Sequence, residues 1–91
     1  MANARKPTRL KEKRTVKVHN YRLLQVLSRQ FPTLTQTERI VCDLLAMHLR
    51  TKEIAEKMGI GARTVETHRQ NIRRKLGLPK GKELSAFLCS I

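Results

Sequence analysis

The sequence predicts an all-α protein. Apolar residues recur three and four positions apart in successive segments of the 91-residue chain, which is the spacing of amphipathic helices. Capping residues, glycines or prolines stand at the ends of these segments. One Tyr, two Phe and no Trp leave a core of aliphatic side chains, and the length suits one domain. We therefore expect a four-helix domain, built from a three-helix core and a C-terminal helix, preceded by a basic N-terminal arm with a short helix.

The arm is predicted to cover residues 1–33, which carry nine basic side chains and one acidic side chain. Residues 1–18 show neither a helical nor a strand period and are expected to be disordered. They are interpreted either as a solvated tail or as an arm that contacts a groove or phosphates. A short helix is predicted over 20–31, begun by Asn20 and ended before Pro32. This helix is expected either to pack on the domain or to pair two chains.

The domain is predicted to cover 34–91 and to begin with a helix over 35–49. In the stretch Thr35-Gln-Thr-Glu38, the Thr35 hydroxyl can accept a backbone N–H while Glu38 reaches back, which is a capping box. The inner face of this helix is expected to carry Val41, Leu44, Leu45 and either His48 or Leu49.

Two further helices, over 51–58 and 62–76, are predicted to be joined by a tight turn. Thr51 is expected to cap the first, Gly59 to end it in the left-handed conformation, and Gly61 to begin the second. A small residue, a glycine four positions on and an apolar residue six after that give the spacing of a helix-turn-helix motif. Here these residues are Ala55, Gly59 and Val65.

The chain ends with a predicted helix over 82–90, which follows a stop at Gly77. Leu84, Phe87 and Leu88 lie on one stripe of it. Cys42 and Cys89 stand in or beside apolar stretches, and both are expected to be small buried hydrophobes.

The helix predicted over 62–76 has an outer face suited to nucleic acid. The net charge of the chain is +13, which predicts a polyanionic partner. If Val65, Ile72 and Leu76 face inward, polar side chains able to reach base edges face outward. These candidate base-facing residues are Arg63, Glu66, Thr67, Gln70 and Arg74. The turn would free this helix to lie in a major groove.

The stretch LTQTERIVCDLLAMHLRTKEIAEKMGIGARTVETHRQNIRRKLGL resembles the DNA-binding domain of LuxR-type bacterial transcription regulators. The shared pattern is LTxxE, then KEIA, then TVExHxxNIxxKLG, and it extends over about residues 34–91. The resemblance implies a four-helix domain that binds duplex DNA as a dimer, with its third helix in the major groove.

Carried over by position, the resemblance implies base contacts at Glu66, Thr67 and Gln70. It implies phosphate contacts at Lys52, Thr64, Arg69, Arg73 and Lys75, and dimer contacts at Leu84, Phe87, Leu88 and Ile91. Two positions depart from the family pattern. Gly61 replaces the usual serine before the third helix, and Glu66 places a negative charge where some relatives have a cation.

Catalysis is not expected. The sequence shows no defensible acid pair, no glycine-rich phosphate loop and no zinc-type spacing of Cys and His. His68 is interpreted as a packing residue or a phosphate donor. We therefore expect a non-enzyme without metal, cofactor or small-molecule ligand.

The expected partners are duplex DNA, a second copy of the chain and, as a further candidate, RNA polymerase, in the cytoplasm at the nucleoid. One alternative is a promoter-binding region like that of a sigma factor. Another is a protein-interaction module that pairs with a different regulator. The chain is interpreted either as a free-standing DNA-binding unit or as a fragment of a larger regulator. A membrane partner is not expected, because no run of residues is long and apolar enough to span a bilayer.

Overall fold

A computed structural model describes residues 17–91, which form five helices and no strand within that range. The predictions for residues 1–16 lie outside the described part of the chain. The helices are α1 (Tyr21–Gln30), α2 (Gln36–Ala46), α3 (Thr51–Met58), α4 (Ala62–Leu76) and α5 (Leu84–Cys89). The all-α prediction is confirmed.

The helix α2 is the centre of the fold, because α1, α3, α4 and α5 all pack against it. Its Val41, Leu44 and Leu45 are 1% exposed or less. The remaining aliphatic core comes from every other helix and from the segment before α2. These residues are Leu23, Leu27, Leu34, Ile54, Ala55, Val65, Ile72, Leu76, Leu84 and Leu88.

The N-terminus of α2 has the predicted capping box. The Thr35 hydroxyl accepts the Glu38 N–H at 3.1 Å, and the Thr35 N–H donates to the Glu38 carboxylate at 2.8 Å. The same Glu38 oxygen also lies 2.8 Å from the Lys75 ammonium. This ion pair joins the first turn of α2 to the last turn of α4.

The end of α2 differs from the prediction. The helix ends at Ala46 rather than at residue 49, because His48 takes a left-handed conformation with φ 65°. The Leu49 N–H donates to the Leu44 carbonyl, and the His48 N–H donates to the Leu45 carbonyl. These two bonds form a Schellman motif. His48 is therefore exposed and not part of the core face, whereas Leu49 packs against the core.

Two other helices end in the same way with glycine in the left-handed position. Gly59 ends α3 at φ 69° and Gly77 ends α4 at φ 70°. After each glycine, an apolar residue donates its N–H back to the helix and packs on the core, namely Ile60 and Leu78. Both predicted stops are confirmed.

Two helix starts need correction. The N-cap of α3 is Arg50 and not Thr51, which is the first helical residue. The Arg50 N–H donates to the Glu53 carboxylate at 2.8 Å. The last helix covers Leu84–Cys89 rather than 82–90.

The cysteines differ from each other. Cys42 is fully buried, as predicted, and burial together with the charges of Glu38 and Asp43 raises the pKa of its thiol to about 12. Cys89 is exposed, contrary to the prediction. Its Sγ lies 3.2 Å from the Ala46 carbonyl, at the rim of the domain.

Candidate nucleic-acid interface

The α3–turn–α4 unit fixes which face of α4 is free. Ile54 and Ala55 on α3 and Val65 on α4 are buried, so the two helices meet through these side chains. Ile72 and Leu76 continue the buried stripe along α4. The opposite face of the helix is consequently turned to solvent.

The five predicted base-facing residues all lie on this exposed side of α4. The structure brings Arg63, Glu66, Thr67, Gln70 and Arg74 together at helical spacing. The Thr67 hydroxyl donates to the Arg63 carbonyl at 3.2 Å. This bond fixes the orientation of the Thr67 side chain and therefore of its methyl group. The Arg74 guanidinium donates to the Asn71 side chain at 2.9 Å. Guanidinium, carboxylate, hydroxyl and amide groups are thus displayed along one helix.

The five predicted phosphate contacts divide into two groups. Lys52 and Thr64 are exposed and Arg69 is half-buried, and these three flank the face of α4 or stand in the first turn of α3. Arg73 and Lys75 instead have partners within the chain. Their sequence spacing alone does not reveal this difference.

Arg73 and Lys75 hold the domain together. The Arg73 guanidinium donates to the Lys82 carbonyl at 2.6 Å and to the Pro79 carbonyl at 2.9 Å, which fixes the loop before α5. The Lys75 ammonium donates to Glu38 at 2.8 Å and to the Thr33 carbonyl at 3.1 Å.

Burial alone would raise the pKa of the Glu38 carboxyl. The bonds from Lys75 and Thr35 outweigh that effect and lower the pKa below its ordinary value. The Lys75 ammonium therefore stabilises the fold through its bonds to Glu38 and the Thr33 carbonyl.

A cationic cavity at the start of α3 was not foreseen from the sequence. It has a volume of about 360 Å³, and its lining includes His48, Arg50, Thr51, Arg69 and Glu83. Arg50 and Arg69 are 19 positions apart in sequence, so their approach depends on how α3 and α4 pack. The one sequence signal is that Arg50 directly precedes the predicted helix over 51–58.

The predicted dimer residues do not share one environment. Leu84 and Leu88 are 1% and 2% exposed in the core of their own chain, so they offer almost no surface to a partner in this conformation. Ile91 is 37% exposed and Phe87 is half-buried. Phe87 lines a surface groove of about 380 Å³ together with Leu78, Pro79 and Ala86.

His68 is half-buried on α4.

The part of the chain that the structure describes contains no cluster of three His, Cys, Asp or Glu side chains arranged to hold a metal ion. None of its helices is long and apolar enough to cross a membrane.

A helix-turn-helix domain with a basic, polar second helix defines a class of DNA-binding proteins. Residues 32–87 match the family model described as bacterial regulatory proteins, luxR family. The chain therefore belongs to the luxR family, and the resemblance drawn from its motifs is confirmed. This family comprises DNA-binding domains of transcription regulators.

Several curated relatives share the domain. The chain is 44% identical over 57 residues to the transcriptional regulatory protein UhpA of Escherichia coli. This aligned region covers 63% of this chain and 29% of that protein. The chain is 47% identical over 45 residues to the transcriptional regulatory protein MctR of Rhizobium johnstonii, covering 50% of this chain and 21% of that protein. It is 41% identical over 57 residues to the oxygen regulatory protein NreC of Staphylococcus aureus, covering 63% of this chain and 26% of that protein. The chain thus spans less than a third of each relative, and no solved structure matches it significantly.

Proposed function

We propose that the chain binds duplex DNA sequence-specifically as a homodimer and so regulates transcription, with α4 in the major groove. The observation that carries this proposal is the exposed face of α4, where five polar side chains stand opposite a fully buried stripe. The luxR-family match favours this function over a sigma-factor region. The protein would act in the bacterial cytoplasm, where promoter DNA and RNA polymerase are found.

Each base-facing side chain has a matching base edge. The Gln70 amide can pair with adenine, Glu66 can accept from the cytosine amino group, and Arg63 can donate two bonds to guanine. The Thr67 methyl can contact the methyl of thymine. Glu66 contributes to binding only where a donor faces it, because elsewhere it would repel the backbone. Glu66 therefore favours sites that present a cytosine amino group to it.

Phosphate contacts are assigned to Lys52, Thr64 and Arg69, and we add Arg50 from the cationic cavity. Arg50 and Lys52 stand on either side of the α3 start, where the helix dipole also favours an anion. The backbone would thus be held beside the groove that α4 enters.

Dimerisation is assigned to the groove that Phe87 lines with Leu78 and Pro79. Ile91 is exposed but lines a different cavity, beside α1. Two copies related by a two-fold axis would place their α4 helices about 34 Å apart, on half-sites one helical turn apart. A near-palindromic site follows from this symmetry.

The test is selection of binding sites from random duplex DNA with the whole chain at near-physiological salt. A two-fold symmetric motif is expected. Gln70→Ala should cost about 1–3 kcal/mol and relax preference at one base pair. Lys52→Ala should weaken all sequences alike and reduce the salt slope by roughly 0.9. Selection that enriches no motif, or a Gln70→Ala variant with unchanged preference, would refute the proposal.

A further inference from the structure

Cys89, the last residue of α5, lies beside a histidine at the end of α2. Its Sγ is 3.5 Å from Nε2 of His48 and 3.2 Å from the Ala46 carbonyl oxygen. Both side chains are exposed, although the two residues are 41 positions apart in sequence. His48 is the left-handed residue that follows α2, so its backbone is fixed by the Schellman motif. A nucleophile within hydrogen-bond reach of a base is the arrangement that activates a thiol.

The other cysteine provides a contrast. Cys42 is fully buried, and burial raises the pKa of its thiol to about 12. The thiolate, not the thiol, attacks a disulfide, so Cys42 is inert near neutral pH. Cys89 is therefore the thiol of this chain that small reagents can reach.

Cys89 also lines a cavity of about 280 Å³ between α1 and α5, which we call the α1–α5 cavity. Val26 and Ile91 supply apolar lining, and Arg22 supplies a cation. The volume lies near the lower end for ligand pockets, about 300 Å³, so the cavity suits a small molecule rather than a polymer. A guanidinium matches the geometry of a carboxylate. The lining therefore favours a small anionic reagent.

The α1–α5 cavity is separate from the groove assigned to dimerisation. Leu78, Pro79 and Phe87 line that groove, and within residues 17–91 the two sites have no lining residue in common. Cys89 is consequently open to reagents in the proposed dimer as well, and its reactivity does not depend on DNA binding.

We propose that Cys89 is a modification site that undergoes thiol–disulfide exchange with small disulfides carrying carboxylates. His48 accepts the S–H proton at Nε2, and the Cys89 thiolate attacks one sulfur of the disulfide. The S–S bond of the reagent breaks, and the departing thiolate takes the proton from the imidazolium. One thiol and one disulfide thus become a new thiol and a mixed disulfide, with no net oxidation. Arg22 binds a carboxylate of the reagent and then of the adduct.

The charges around the pair suit this reagent. His48 also lines the cationic cavity, whose charged side chains are Arg50, Arg69 and Glu83. With Arg22 on the other side, three cations and one carboxylate face the pair. The exchange is reversible, so the amount of adduct follows the ratio of small disulfide to small thiol around the protein.

The experiment measures how fast oxidised glutathione, which carries carboxylates, modifies the whole chain, followed by intact mass. The pH is set one unit below and one unit above the ordinary cysteine pKa of about 8.5. Cystamine, a cationic disulfide, is the comparison reagent, and Cys89→Ser locates the adduct. His48→Asn removes the imidazole and keeps a residue that tolerates the left-handed conformation. Arg22→Gln removes the cation of the cavity, and Arg29→Gln is its control because Arg29 lies on α1 but lines a different cavity.

At the lower pH an ordinary cysteine is roughly one-tenth ionised, so a base can raise the rate by at most about tenfold. His48→Asn should therefore lower the rate several-fold at the lower pH and match the parent at the higher pH, where no base is needed. Arg22→Gln should lower the preference for oxidised glutathione over cystamine by about 1.5- to 5-fold, the range of an exposed ion pair. Arg29→Gln should leave this preference unchanged.

An adduct that still forms in Cys89→Ser, or an unchanged rate in His48→Asn, would overturn the proposal. A deficit in His48→Asn that persists at the higher pH would do the same, because His48 would then control access rather than accept the proton. Equal preference in Arg22→Gln and the parent would overturn the choice of an anionic reagent. Failure of the proposed function would appear instead as absent site preference on DNA, which these rates do not measure.

Discussion

The ion pair between Glu38 and Lys75 can be tested through Lys75→Met. This change removes the ammonium and leaves a carboxylate that is about one-twentieth exposed, since the Glu38 side chain is 5% and that of Lys75 21% exposed. Removing one partner of a fully buried pair costs about 3–5 kcal/mol. Glu38 keeps its Thr35 N–H bond at 2.8 Å and Lys75 is partly solvated, so we expect a loss of about 2 kcal/mol at pH 7.

The sign of the pH dependence follows from the lowered pKa of Glu38. A carboxyl whose pKa is lower in the folded state contributes stability above its unfolded pKa, about 4.3, and loses it as the pH falls through the folded value. Lys75→Met removes much of this contribution. The variant and the parent should therefore differ most near neutral pH and converge at acid pH.

Urea unfolding from neutral pH to well below the ordinary glutamate pKa of about 4.3 measures this difference, with Lys80→Met as an exposed-lysine control. Glu38→Gln combined with Lys75→Met completes a double-mutant cycle and isolates the coupling of the pair. A loss below about 0.5 kcal/mol, within the range of a surface lysine, would refute the reasoning. A loss that is the same at every pH would refute the assignment to Glu38.

Further predictions concern the helix ends, the buried Asp43 and the two cysteines. His48→Gly should stabilise the domain by about 0.5–1 kcal/mol by relieving the left-handed conformation, whereas Gly59→Ala should destabilise it by about 1 kcal/mol, both measured by urea unfolding. The opposite order would contradict the Schellman assignment. Asp43→Ala should cost about 2 kcal/mol and speed amide exchange in α1, because the His19 and Asn20 N–H groups lose their acceptor; unchanged exchange would contradict this role of Asp43. At pH 8 a thiol reagent should modify Cys89 readily and Cys42 slowly, since the Cys42 thiol has a pKa of about 12 and is buried; fast modification of the one thiol left in Cys89→Ser would contradict this.

The sequence predicts best where local chemistry decides the structure. The bounds of α4 match the prediction of 62–76, because glycine stands on either side of the helix and a three-to-four spacing runs between. The predicted end of α2 is wrong because a histidine, not a glycine, takes the left-handed position there. A histidine in that place gives no signal in a single sequence.

The candidate site shows the same division. Exposure of the outer face of α4 follows from helix periodicity, so Gln70 and its neighbours were located correctly on the surface. The partner of Lys75 is Glu38, 37 positions away, and a basic residue on a helix gives no indication of such a distant contact. Leu84 and Leu88 similarly read as one free stripe, although the packing of α5 on α2 buries them.

The three helix ends at His48, Gly59 and Gly77 have a consequence for the thermodynamics of binding. Each is followed at once by an aliphatic residue that packs on the core, so the joints before α3, α4 and α5 are already ordered in the free domain. Recognition by α4 then requires little coupled folding, and ordering costs that would offset the interaction energy are avoided within these residues. The heat capacity change of association should accordingly be small and should reflect the contact surface alone. Released counterions would supply a favourable entropy.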